Sequence, residues 1–150
     1  MKPAMQPADE GKEDSGIILR VLQSRDSMFH KLLLSTLNVI LYRYTDSWSR
    51  LPVEGALYVY QREDTPSLGL LVLNRKTPRD FHLLVDSGVV GVEVFDRFII
   101  IKRAIGWEIE VYGLWFYDSQ ASIAASFIIA DKVELLKKSK DLLLSLQSLR

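Results

Sequence analysis

The stretch that most constrains this chain is Ile109–Asp118, reading Ile-Glu-Val-Tyr-Gly-Leu-Trp-Phe-Tyr-Asp, in which nearly every residue is aromatic, β-branched or aliphatic. Such a run reads as a strand buried on most of its surface. Successive strand side chains point to opposite faces. Val111, Gly113, Trp115 and Tyr117 therefore share one face, and Tyr112, Leu114 and Phe116 share the other. Both faces carry large apolar groups, and only one can line the interior of a small barrel. The other is a candidate recognition surface, with Trp115 at its centre. Asp118 ends the strand and is placed to cap the periodic run that follows. A last strand handing directly to a terminal helix predicts a sheet closed off by that helix.

Upstream, Val39–Tyr44, Gly55–Arg62, Gly69–Leu73, Phe81–Val85, Val92–Phe95 and Arg97–Arg103 read as further strands, parted by turns containing Pro, Gly, Asp and Ser. Short strands at hairpin spacing indicate an antiparallel sheet or barrel, so the fold class is mainly β with helices (α+β). Asp26 is placed as the N-cap of a helix carrying Phe29, Leu32, Leu33 and Thr36 at helical spacing. Ser119–Leu136 reads as the closing helix, with Ile123, Phe127, Ala130 and Val133 on its inner side. Leu142, Leu143, Leu144, Leu146 and Leu149 continue that helix or begin another. They exceed what one small barrel needs, which leaves them for a partner or a second copy.

Met1–Ser15 has two prolines, a glycine and an acidic cluster without hydrophobic periodicity, and is expected to be disordered. Residues 16–150 are expected to form one domain, a size that suits a real core. Ile17–Leu22 reads as a short helix with Ile18, Val21 and Leu22 on one side, while Ile17 and Leu19 lie elsewhere on the wheel. Either its own domain or a partner must cover it, and the pattern does not decide between them.

The charge balance gives no argument for nucleic acid or a membrane surface, because 19 Lys and Arg face 19 Asp and Glu. The sequence contains no cysteine, which excludes disulfides and thiolate metal sites. The polar N-terminus lacks the apolar core of a signal peptide, and no apolar run approaches the ~20 residues that span a bilayer. A soluble intracellular protein is expected. Catalytic constellations are sparse. His30, in a predicted helix, and His82, in a strand, have no metal-ligand spacing and read as ordinary structural residues. Glu108 and Glu110 share a strand face roughly 7 Å apart, but near a turn they read as solvated charges. The aromatics are the better signal. Tyr42, Trp48, Phe98 and Trp115 lie on separate elements, and Trp48 sits in a polar turn with no reason to be buried. Aromatic-lined grooves take polyproline II peptides, whose rings stack flat on indoles and phenols. Composition alone favours core roles for these rings, since aromatics dominate cores as well.

Several blocks then occur in a specific order: Val39-Ile-Leu-Tyr-Arg-Tyr44 with Trp48 behind it, Val53-Glu-Gly-Ala-Leu-Tyr-Val-Tyr-Gln-Arg62, Gly69 through Leu73-Asn74-Arg75, Phe98, and Tyr112-Gly-Leu-Trp-Phe-Tyr-Asp118. From about Ile17 to Phe127 this order and spacing resemble the regulatory subunit of the mRNA-decapping enzyme, the decapping protein one family. The resemblance implies an EVH1-type fold, a PH-like antiparallel β-barrel capped by a C-terminal helix, with an N-terminal helical extension. It implies that Tyr42, Trp48 and Phe98 occupy the positions of the EVH1 proline-peptide groove and that Trp115 matches the family's own groove tryptophan. It further implies that Ile17, Leu19 and Leu22 match the segment that docks on the catalytic Nudix subunit. Expected partners are that subunit, in a heterodimer, proline-rich decapping enhancers, and mRNA indirectly, with no membrane. Expected location is the cytoplasm, including processing bodies. No cofactor, metal or catalytic residue is expected, because the Nudix Arg-Glu-x-x-Glu-Glu box is absent from the sequence. Metazoan members carry a long C-terminal extension with a trimerisation segment that this sequence does not show, so assembly by that route is not expected. The alternative from another class is a generic EVH1 adaptor for proline-rich cytoskeletal or signalling partners. Asn74-Arg75 and the apolar N-terminal segment favour the decapping activator.

Overall fold

The computed structural model describes residues 16–149; the disorder expected for Met1–Ser15 falls outside the described residues. A first helix, α1, covers residues 16–25. Seven strands follow: β1 (Phe29–Tyr44), β2 (Trp48–Arg62), β3 (Leu68–Asn74), β4 (Phe81–Leu84), β5 (Val89–Phe95), β6 (Phe98–Ile105) and β7 (Glu108–Phe116). Helix α2 (Ser119–Ser148) ends the chain.

All strands join one antiparallel sheet in the order β4-β3-β2-β1-β7-β6-β5. One face of every strand contributes to a single core: Val39 and Leu41, Leu57 and Val59, Leu70 and Val72, Leu83, Val89, Ile99 and Ile101, Leu114 and Phe116. A sheet of this width can share one core only by curling, and the strand-rich sequence meets that requirement with two long, irregular strands. The β1–β2 register shifts in four places, between Phe29 and Lys31, Leu32 and Leu34, Thr36 and Val39, and Ile40 and Tyr42, and such bulges bend and twist strands. The expected barrel is therefore an open one: β4 and β5 are the ends of the hydrogen-bonded order and do not pair with each other.

The helix expected after Asp26 is instead the first half of β1. Leucines at 32, 33 and 34 satisfy a helical period, but the segment pairs along β2 from Phe29↔Arg62 to Thr36↔Leu57, and tertiary pairing overrides a short local pattern. Asp26 lies at the end of α1, where its backbone amide donates to Leu22 O at 2.9 Å. His30 is accordingly a strand residue, exposed 3.7 Å from Glu63, and Trp48 is the first residue of β2 rather than part of a turn.

Helix α2 begins as expected, with the Asp118 carboxylate accepting from the Gln120 and Ala121 amides. It runs unbroken for 30 residues. Its inner side is not the predicted one. Ala121, Ser122, Ala125, Ile129 and Val133 are buried, whereas Ile123 and Phe127 are 52% and 72% exposed and Ala130 is exposed. Small residues lead the buried side in the first half of the helix, with Ile129 and Val133 following, all against the core that holds Phe116, Ile99 and Leu114. Of the predicted inner residues only Val133 faces the core.

Candidate functional site

The sheet has a second face, and α1 divides it. On β2 and β3 the outward residues Tyr58, Tyr60 and Leu71 form a second buried cluster with Phe29 and Leu22. Helix α1 is latched there by a polar network. The Asp26 carboxylate accepts from Arg62 Nε at 2.7 Å, from Tyr60 Oη at 2.7 Å and from the Met28 amide at 2.9 Å. Its side chain is 7% exposed and that of Arg62 11%. Burial alone would raise the Asp26 pKa, but the Arg62, Tyr60 and Met28 hydrogen bonds outweigh it and bring the carboxyl down to about 2. Burial, reinforced by Asp26, pushes the Tyr60 phenol far above its ordinary value. Burial lowers His82, whose Nε2 lies 2.5 Å from Tyr60 Oη. Since the single phenolic proton goes to Asp26, His82 must carry its own on Nε2 and donate it to the Tyr60 oxygen.

On β1, β7 and β6 the same outer face is bare and aromatic. Residues paired across an antiparallel ladder point to the same side, and the register lays out three rows. Glu54, Ile40, Trp115, Phe98 and Phe95 form one. Arg50, Tyr42, Gly113 and Ile100 form the next. Trp48, Tyr44, Val111 and Lys102 form the third. Gly113 explains why the rows merge: a Cβ there would lie 2.1 Å from Phe98 Cζ, so its absence lets that ring reach over β7. Phe98 thereby reaches Trp48, with ring centroids 5.0 Å apart, and Tyr42, at 5.8 Å, both edge-on. Trp48 also meets Tyr44 at 5.2 Å. Trp115, next to Phe98 in register, stands edge-on to Tyr117 at 4.7 Å.

Of the four predicted groove residues, Tyr42 and Trp48 thus both meet Phe98, and Trp115 adjoins Phe98 on the next strand. Trp48 is 39% exposed, and the other three are partly buried. Sequence reasoning missed Tyr44 as a groove neighbour and placed Tyr117 only on the face of Trp115. Tyr117 follows Trp115 at i+2 and so shares its face. Its hydroxyl donates to Glu54 Oε1 at 3.2 Å, and Glu54 is paired with Arg50 at 2.9 Å and Lys76 at 3.7 Å. This rim is itself braced by the Asn74-Arg75 pair. Asn74 Oδ1 accepts from the Glu54 amide at 3.0 Å, and the Arg75 guanidinium donates to Leu37 O at 3.3 Å and to the Asn38 side chain.

The predicted docking residues of α1 separate. Ile17 is 57% and Leu19 37% exposed, but Leu22 is 1% exposed. Leu22 is core to the second cluster, because the outward aromatic rings of β2 and β3 need a cover and α1 supplies it; it is not open to a partner in this structure. Glu108 and Glu110 are not a carboxylate pair: Glu108 is exposed, while Glu110 accepts from Tyr112 Oη at 3.0 Å and lies 3.4 Å from Arg43. Among the described residues there is no cluster of three His, Cys, Asp or Glu placed to hold a metal ion, and no helix long and apolar enough to cross a membrane.

The outer face of β1, β7 and β6 thus carries a run of aromatic side chains. A family model described as the Dcp1-like decapping family matches residues 14–130. The chain is 27% identical over 107 residues to mRNA-decapping enzyme 1B of Homo sapiens, which covers 69% of this chain and 17% of that protein. It is 31% identical over 107 residues to an mRNA-decapping enzyme-like protein of Arabidopsis thaliana, covering 68% and 28% respectively. The match therefore spans less than a third of these relatives' length. Among solved structures, the crystal structure of Dcp1p superposes with a TM-score of 0.67 at 26% identity, over 77% of this chain and 94% of that one. The solution structure of the Dm DCP1 EVH1 domain in complex with the XRN1 DBM peptide does so with a TM-score of 0.69 at 18% identity, over 81% and 90%, a likeness of fold.

Proposed function

This chain belongs to the Dcp1-like decapping family, and on that footing we propose that it is a non-catalytic activator of the mRNA-decapping complex. In this reading it binds the Nudix catalytic subunit through α1 and recruits proline-rich decapping enhancers on the outer face of β1, β7 and β6. The observation that carries the reading is the division of the outer face. One half is covered by the chain's own helix, and the other presents Tyr42, Tyr44, Trp48, Phe98 and Trp115 to solvent with no element of the described residues over them. Rings set edge to face offer flat apolar surfaces for the pyrrolidine rings of a polyproline II segment, whose preformed backbone loses little entropy on binding. The structurally similar Dm DCP1 EVH1 domain holds an XRN1 peptide, which supports a peptide as the ligand class here.

Ile17 and Leu19 support the α1 interface. They point away from the buried cluster while Leu22, on the other side of the helix, anchors it. Activation would be a population shift in which the bound complex favours the competent arrangement of the catalytic subunit. Cap hydrolysis would belong to that subunit, since these 150 residues hold no Nudix carboxylate box. The working place follows the substrate, cytoplasmic mRNA and the bodies in which it is processed.

The test is capture of the Nudix subunit by wild type, Leu19→Asp and Trp115→Ala. The reading requires capture by wild type, weaker capture by Leu19→Asp with an unchanged circular dichroism spectrum, and undiminished capture by Trp115→Ala. Absence of a complex with wild type would leave a generic adaptor for proline-rich ligands instead.

A further inference from the structure

The aromatic face does not stop at Trp48 and Tyr44. Tyr44 pairs with Val111 on β7, and two residues further along the same face is Ile109, 60% exposed. Beyond it the β6–β7 hairpin turns through Gly106 and Trp107, joining the paired residues Ile105 and Glu108. Gly106 has φ +59°, the requirement at the first central position of a type II′ turn. That turn fixes Trp107 at the tip of a rigid hairpin with its side chain wholly in solvent, 101% exposed. A tip turn needs no tryptophan, and polar residues serve such a turn equally well. An indole held fully in water beside an exposed isoleucine, continuous with an aromatic groove, marks an interaction surface.

We infer that the ligand of the aromatic groove is longer than its proline-rich core, and that an apolar side chain in the segment flanking that core packs on Trp107 and Ile109. This rests on the reading of the groove given above. The geometry sets the spacing. Trp115 and Ile109 are six residues apart on one strand, about 20 Å at ~3.3 Å per residue. A polyproline II or extended ligand covers that distance with about six residues at ~3.1–3.3 Å each. A core seated on Trp115, Phe98 and Trp48 therefore leaves only a few residues before the ligand's apolar side chain reaches the tip. Because polyproline II ligands are nearly symmetric in shape, the flank is to be tested at both ends of the core.

Calorimetric titrations of the whole chain with synthetic peptides test this. The probes are a core Pro-Pro-Leu-Pro-Pro, the same core carrying Ser-Ser-Leu-Phe at its carboxyl end or Phe-Leu-Ser-Ser at its amino end, and controls in which serine replaces the flanking leucine and phenylalanine. The expected result is that one apolar-flanked peptide binds about tenfold more tightly than its serine control, and that Trp107→Ser or Ile109→Thr reduces this gain to within about twofold while core affinity is unchanged. Both sites are exposed, so folding is not at issue, and thermal melts on the variants will verify it. Equal affinity of flanked and control peptides for wild type would overturn the inference while leaving the groove intact. Failure of every peptide to bind would remove the groove reading and the inference together. Concentration-dependent self-association lost in Trp107→Ser, with no effect of the flank, would assign the tip to a second copy of this chain and overturn the inference as well.

Discussion

A Cβ built on Gly113 would lie 2.1 Å from Phe98 Cζ, so the smallest residue of β7 decides whether Phe98 can meet both Trp48 and Tyr42. Gly113→Ala is predicted to displace that ring and lower affinity for a proline-rich peptide by about tenfold or more, the effect of disturbing one aromatic anchor. Calorimetry checks the affinity, and the near-ultraviolet dichroism of the coupled rings should change with it. At Asp26 the chemistry is electrostatic. Its folded pKa of about 2 lies below the unfolded value near 3.9. The stability it contributes, on the order of 2–2.5 kcal/mol for a carboxylate this buried, is present above about pH 4 and is lost as pH falls through 2. His82, lowered by burial, acts in the same direction, its contribution starting to fall as pH drops below its unfolded value of about 6.5. Melting temperature should therefore decline from about pH 6 and more steeply below pH 4. Asp26→Asn should abolish the steep acid limb and destabilise the protein at pH 7, by about 3–5 kcal/mol, because it leaves the buried Arg62 charge unpaired.

At the scale of elements, the two helices show where sequence patterns stop being decisive. The strand Ile109–Asp118, its two faces and the Asp118 cap were legible because aromatic and β-branched density, alternation and a capping residue agree with one another. Ladder partners carry most strands in the same way. The start of β1 was not legible: leucines at 32, 33 and 34 fit a helix or a strand, and only pairing with β2 distinguishes them. On α2 bulk does not mark the inner side: Ala121, Ser122 and Ala125 are buried there while Phe127 is exposed. Accordingly Ala125, 0% exposed, is predicted not to tolerate enlargement. Ala125→Leu should cost about 1–3 kcal/mol by overpacking, and Phe127→Ser should leave stability within about 0.5 kcal/mol. For α1 the apolar pattern allows either cover, and the structure divides them by side: Leu22→Asp should release the helix at a cost of several kcal/mol, while Leu19→Asp should not. Denaturant unfolding of the four variants separates these outcomes.

Over the whole molecule, the outer sheet face is divided in two because one helix covers half of it. The latch of Asp26, Arg62, Tyr60 and His82 holds α1 over β2 and β3, and Glu54, Asn74 and Arg75 brace the rim between the covered half and the bare one. The resemblance groups Tyr42, Trp48, Phe98 and Trp115, whereas the contacts among the first three depend on Phe98 reaching over Gly113, which no spacing reveals. The proposed function turns on this bare half binding extended proline-rich ligands. Titration calorimetry of a proline-rich enhancer peptide into wild type and Trp115→Ala, both confirmed folded by thermal melts, tests it most directly. Trp115 is only partly buried, so its loss should cost well under the ~3–5 kcal/mol of a core tryptophan. The account predicts saturable binding to wild type that weakens about thirtyfold, or ~2 kcal/mol, in Trp115→Ala. Equal affinity for the two proteins, or no binding to either, would contradict it.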